Sequence, residues 1–108
     1  MRWLVTWTLA NNGPSSLALT DAWIPHGKFC GDGRLPLSVE IAPGATHSLQ
    51  FAVTADEPPG TIVENAFLIL RVRIAAAAWR VFIRLRIEFD SSALPLPVVE
   101  AITAQSLE

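Results

Sequence analysis

From Trp79 to Phe89 the chain alternates without a break. Trp79, Val81, Ile83, Leu85, Ile87 and Phe89 take one phase, while Arg80, Phe82, Arg84, Arg86 and Glu88 take the other. Successive side chains of a strand point to opposite faces, so this spelling yields one apolar face and one face of arginines and aromatics. A helix through the same residues would scatter the arginines around its circumference. An aliphatic face of this length needs a second layer to cover it, which points to a two-sheet sandwich or a small barrel.

The same period recurs along the chain. Trp3, Val5, Trp7 and Leu9 share one face of a first strand, with Leu4, Thr6 and Thr8 on the other. Asn11-Asn12-Gly13-Pro14-Ser15-Ser16 ends it, because Asn and Gly tolerate positive φ and Pro lacks an amide hydrogen. A short strand from Leu17 to Ile24 stops at Pro25, and His26 to Arg34, with Gly27, Gly31 and Gly33, reads as a loop. Leu35, Leu37, Val39 and Ile41 alternate with Pro36, Ser38 and Glu40, and Pro36 favours an edge position. Pro43-Gly44 is a turn, followed by a strand with His47, Leu49, Phe51 and Val53 on one face. After the polar Asp56–Gly60 connection come the two longest strands, Ile62 to Ile74 and Trp79 to Asp90. The expectation is an all-β sandwich of six to seven antiparallel strands within residues 1–92. Residues 93–106 then form a Pro-containing tail or an extra edge strand, and residues 107–108 read as a cloning remnant.

Composition narrows the function classes. The 108 residues suit one domain, and a hydrophobic fraction of 51% is enough for a core without metal or disulfide support. The single cysteine, Cys30, excludes an internal disulfide. No run of about 20 apolar residues is present to span a membrane as a helix. Met1-Arg2 followed by Trp3–Ala10 has the outline of a signal peptide. Its threonine alternation and the lack of a small-x-small cleavage site favour a strand. These features leave the location open and favour the cytoplasm, unless the chain is a piece of a surface protein.

One cadence has a family resemblance. The Asn-Gly break after the first strand is followed by a hydrophobic strand. Ile41-Ala42-Pro43-Gly44 then opens a strand in which Leu49, Phe51 and Val53 alternate. This resembles bacterial and archaeal immunoglobulin-like modules of the cell-adhesion-related type, akin in architecture to fibronectin type III domains. The resemblance spans about Trp3 to Asp90 and implies an immunoglobulin-like β-sandwich acting as a spacer or protein-binding unit. It also implies that the chain begins at the module's second strand. The first strand would then be supplied from elsewhere, the C-terminal segment being one candidate.

Candidate sites are few. His26, Cys30 and Asp32 fall in one loop, but a structural zinc site needs four ligands with tight Cys or His pairs, so no metal is expected. Pairs of Cys30 with His26 or His47 lack any signature that would orient a nucleophile, so neither catalysis nor a cofactor is expected. Trp3 and Trp7 lie about 13 Å apart on one strand face, a spacing that fits sugar rings, although Val5 and Leu9 on the same face favour core packing.

The arginines are the sharper anomaly. Arg71, Arg73, Arg80, Arg84 and Arg86 all fall in the last hairpin, leaving three basic residues elsewhere in a chain that holds ten acidic ones. Pairing Ile74 with Trp79 across Ala75–Ala78 sets Arg73 opposite Arg80, Arg71 opposite Phe82, Ile69 opposite Arg84 and Phe67 opposite Arg86. Phe67, Ile69, Arg71, Arg73, Arg80, Phe82, Arg84 and Arg86 then form one outer face. That face reads either as a solvated surface paired with Glu64 and Glu88, or as an interaction face for an acidic or aromatic protein surface. Nucleic acid is not expected as a partner, because any positive field is local. The reading is therefore a non-catalytic protein-interaction or scaffold module, with a carbohydrate-binding module as the alternative. An unpaired Trp3–Leu9 edge adds a homodimer as an expectation, unless the tail after Asp90 folds back over that edge.

Overall fold

The computed structural model describes residues 1–107, so Glu108, half of the expected remnant, lies outside the described residues. The described residues form nine strands: β1 (Arg2–Ala10), β2 (Leu17–Trp23), β3 (Pro25–His26), β4 (Phe29–Gly31), β5 (Leu35–Ile41), β6 (Thr46–Thr54), β7 (Ile62–Ile74), β8 (Ala77–Phe89) and β9 (Pro95–Ser106). They make two open antiparallel sheets. Sheet A has the order β1-β6-β4-β3 and sheet B the order β5-β2-β7-β8-β9. The two extra strands arise because Pro25–Gly31, expected as loop, folds into the small β3–β4 hairpin, which docks on β6 through Cys30↔Thr54 and Gly31↔Val53.

The core lies between the sheets. Leu49, Phe51 and Val53 of β6 meet Leu19 of β2, Leu68, Leu70 and Val72 of β7, and Ile83, Leu85, Ile87 and Phe89 of β8. Ile24 and Phe29 close one end, fully buried. At the other end buried Asn11 organises the turn that sequence marked. Its Nδ2 donates to the carbonyls of Ser15 at 2.8 Å and Ile41 at 2.9 Å, and its Oδ1 accepts from the Gly13 amide at 3.0 Å. A side chain that satisfies three backbone groups in one place is what lets a polar residue be buried there.

The β7–β8 hairpin differs from its expected register by two residues. Ile74 faces Ala77, not Trp79, so the turn is the two-residue pair Ala75-Ala76. Ala75 takes φ 56°, the left-handed value that tight hairpin turns place at their first central position. A two-residue turn matches the twist of the flanking strands better than the four-residue loop that the alanine run suggested. Because the slip is even, every side chain keeps its face. The pairs become Arg71↔Arg80, Ile69↔Phe82 and Phe67↔Arg84 outside, with Leu70↔Val81, Leu68↔Ile83 and Ala66↔Leu85 inside. A bulge between Val63 and Ala66, with Asn65 at φ 57°, resets the phase of β7.

The C-terminal segment does not cover β1. It pairs along β8 from Phe89↔Pro95 to Trp79↔Ser106, and the Leu107 amide continues the ladder to the Ala78 carbonyl. The β8 edge attracts it because β8 presents a long unpaired ladder directly after a short turn at Ser91–Leu94. Asp90 caps that turn, accepting the amides of Ser92 at 2.8 Å and Leu94 at 2.9 Å. The two proline nitrogens cost no ladder bond. The Asp90 backbone amide donates to the Leu94 carbonyl, which places the exchanged bonds at the even residues of β8 and leaves the nitrogens of Pro95 and Pro97 facing outward.

Candidate functional site: the outer face of the five-stranded sheet

The outer face of sheet B is assembled in rows by register. One row runs Trp23, Ile69, Phe82, Thr103 and the next runs Asp21, Arg71, Arg80, Gln105. Phe67, Arg84 and Ala101 make a third, and Arg86 sits beside Val98. All eight expected face residues therefore lie on one surface. Six are half-buried, while Arg73 and Arg84 are exposed.

Trp23 sits at the centre of the cation chemistry. The Arg34 guanidinium stacks over its ring at 4.1 Å and that of Arg80 approaches it at 5.9 Å. Such stacking stabilises a guanidinium without neutralising it. Phe67 and Phe82 contact edge to face, 6.3 Å between centroids, which is the favoured aromatic geometry. Arg71 and Arg80 stand directly opposite each other, an unfavourable like-charge pair on a ladder. Among the described residues, Arg71, Arg73, Arg80 and Arg84 have no carboxylate within ion-pair distance. Arg86 is different: it bridges Glu88 at 2.7 Å and Glu100 at 3.2 Å. The Glu88 carboxylate first, and Glu100 after it, hold its pKa above the ordinary arginine value. Glu100 reaches Arg86 only because β9 lies alongside β8, a pairing the sequence reading did not foresee.

Trp23 and Arg34 were missed as members of this face. A bulge between Leu19 and Asp21 breaks the alternation of β2, so the phase of Trp23 could not be counted from Leu17. Arg34 reaches it from the turn before β5.

The other candidates are held elsewhere. Among the described residues no three metal-ligating side chains come together. His26 Nδ1 accepts the Lys28 amide at 3.0 Å, Cys30 Sγ donates to the Gly31 carbonyl, and Asp32 forms a two-point ion pair with Arg2. Trp3, Trp7 and Trp79 pack against the core, with Trp3 Nε1 donating to the Ala55 carbonyl at 3.0 Å. Trp23 instead carries Arg34 on its ring face. No helix among the described residues is long and apolar enough to cross a membrane. No family model, curated protein or solved structure matches the chain.

Proposed function

We propose that this domain is a non-catalytic protein-interaction module that binds an acidic, aromatic-bearing protein surface through the outer face of sheet B. The observation that carries the reading is the Arg71↔Arg80 pair, with Arg73 and Arg84 beside it, none of them in an ion pair among the described residues, on a face that also presents Phe67, Ile69 and Phe82. A ladder that opposes like charges is less stable than one that does not, and a carboxylate-bearing partner removes that cost. Arginine and aromatic residues clustered on a rigid sheet are also the side chains that dominate binding energy at interfaces.

An immunoglobulin-like assignment accompanies this reading. In its support, β1 pairs with β6 while β5, β2, β7 and β8 form the facing sheet, the arrangement expected of such a module that starts at its second strand. A scaffold role fits the elongated body, 44 Å in its longest dimension.

The test is an NMR titration with a short peptide that alternates Glu and Tyr. Shifts should concentrate at Ile69, Arg71, Arg80, Phe82 and Arg84. The double variant Arg71→Glu/Arg84→Glu should bind about tenfold more weakly or worse. Shifts spread evenly over the surface, or affinity unchanged in the charge-reversed variant, would overturn the reading.

A further inference from the structure

The free edge of β1 offers a second, separate surface. The Ala55 amide donates to the Met1 carbonyl at 3.1 Å, and the Asn11 amide donates to the Ala45 carbonyl at 3.0 Å. Both bonds place the odd-numbered residues of β1 at its exchanged positions with β6. Exchange occurs at every second residue of an antiparallel pair. The N–H and C=O groups of Arg2, Leu4, Thr6, Thr8 and Ala10 therefore point away from the sheet, without a strand partner among the described residues.

The other edges are guarded and this one is not. β3 is two residues long, β5 carries Pro36, and β9 turns Pro95 and Pro97 outward and is bulged between Val99 and Ala101. Short strands, prolines and bulges are the usual protections of a sheet edge. β1 has none of them. Its register with β6 is unbroken over nine residues, from Arg2↔Thr54 to Ala10↔Thr46. Its one charged side chain, Arg2, is tied to Asp32.

Beneath this edge the sandwich is incomplete. Val99 and Ile102 are in register with the inward-facing Leu85 and Ile83, yet they are 51% and 66% exposed, because β9 extends past the rim of sheet A. A cleft of about 240 Å³ runs there, between Trp7 and Leu9 on one wall and Val81, Ile83, Val99 and Ile102 on the other. One further strand, at the usual spacing of about 4.8 Å beyond β1, would lie over these residues.

We propose that β1 accepts one extended segment of another protein, with aliphatic residues at every second position, which adds to sheet A and closes this cleft. Backbone bonds to the outward groups of β1 provide affinity, and the alternating aliphatic side chains, seated on Val99 and Ile102, provide phase. The segment is uncharged at its centre, where it runs beside Leu4, Thr6 and Thr8. A single strand fits better than a second copy. Two-fold pairing of β1 with β1 would bring two sheets B, each overhanging by β9, into the same space. The proposal does not depend on the arginine face, which lies on the opposite side of sheet B, and either can fail without the other.

The probe is a synthetic peptide that alternates Val and Thr, with Lys at both ends. The readout is amide hydrogen exchange at Leu4, Thr6 and Thr8, which begins fast because these groups are unpaired. At saturating peptide, exchange at these three should slow by about tenfold or more. The effect should vanish with a peptide whose central Thr is Pro. It should also vanish in Ile102→Lys, a substitution at an exposed side chain that the fold tolerates. Unchanged exchange at millimolar peptide, or protection that survives both controls, overturns the proposal. So does a dimer by light scattering in which these amides are protected before peptide is added, because the occupant is then a second copy.

Discussion

Ile83 and Leu85 lie two residues apart on β8 and on the same inward face, yet truncating each to Ala should cost different amounts. Each substitution removes three carbons, so at about 0.8 kcal/mol per buried carbon the transfer loss is about 2.4 kcal/mol in both. The difference lies in what is left behind. Leu85 is fully buried and faces Ala66 across β7, so its removal leaves an enclosed void. Void formation raises such losses to about 4–5 kcal/mol. Ile83 is 7% exposed and lines the cleft under β1, so its removal widens a space already open to solvent and should cost about 2–3 kcal/mol. Urea unfolding followed by tryptophan fluorescence measures both. With a urea slope of about 1–3 kcal/mol per molar, the two midpoints should differ by roughly 1 M. Equal losses, or a larger loss at Ile83, would mean that the cleft is closed in solution and that β9 does not overhang.

Ala75→Gly should stabilise the domain by up to about 1 kcal/mol, because glycine adopts the φ of 56° without the steric cost that alanine bears; a lower melting temperature would refute the two-residue turn. Asn11→Ala should cost about 2–4 kcal/mol in chemical unfolding, since three hydrogen bonds vanish and the Ile41 carbonyl is left buried. Asp32 should titrate below the ordinary aspartate range by NMR, chiefly because Arg2 hydrogen-bonds its carboxylate and also through the Arg2 charge, and Arg2→Ala should return it toward that range. A folded-state pKa below the unfolded value of about 3.9 contributes stability above that pH and loses it as pH falls through the lower, folded value. Wild type and Arg2→Ala should therefore converge in stability in acid and differ slightly near neutrality, since the pair is exposed. Ending the chain at Asp90 deletes β9 and unpairs the whole outer edge of β8, so that variant should show a lower unfolding midpoint and aggregate on standing.

The alternation from Trp79 to Phe89 was enough to assign strand, to divide core from surface and to place the arginines on one face, because side-chain phase in a strand is a local property. The apolar residues at Leu49, Phe51 and Val53, the Pro43-Gly44 turn and the polar break at Asn11 were legible for the same reason. What depended on two segments meeting was not. The hairpin register differed by two residues because the alanine run does not say which pair forms the turn. Trp23 was hidden from the arginine face by the bulge in β2, as the phase change at Asn65 was hidden within β7, because a bulge is settled by what the partner strand presents. Val81, in the apolar phase of β8, is only half-buried because it lines the cleft. Only the tertiary structure decided that the C-terminal segment completes β8 and leaves β1 open. Both edges present the same backbone groups, and the choice between them follows from which one the chain reaches first after the tight turn at Asp90.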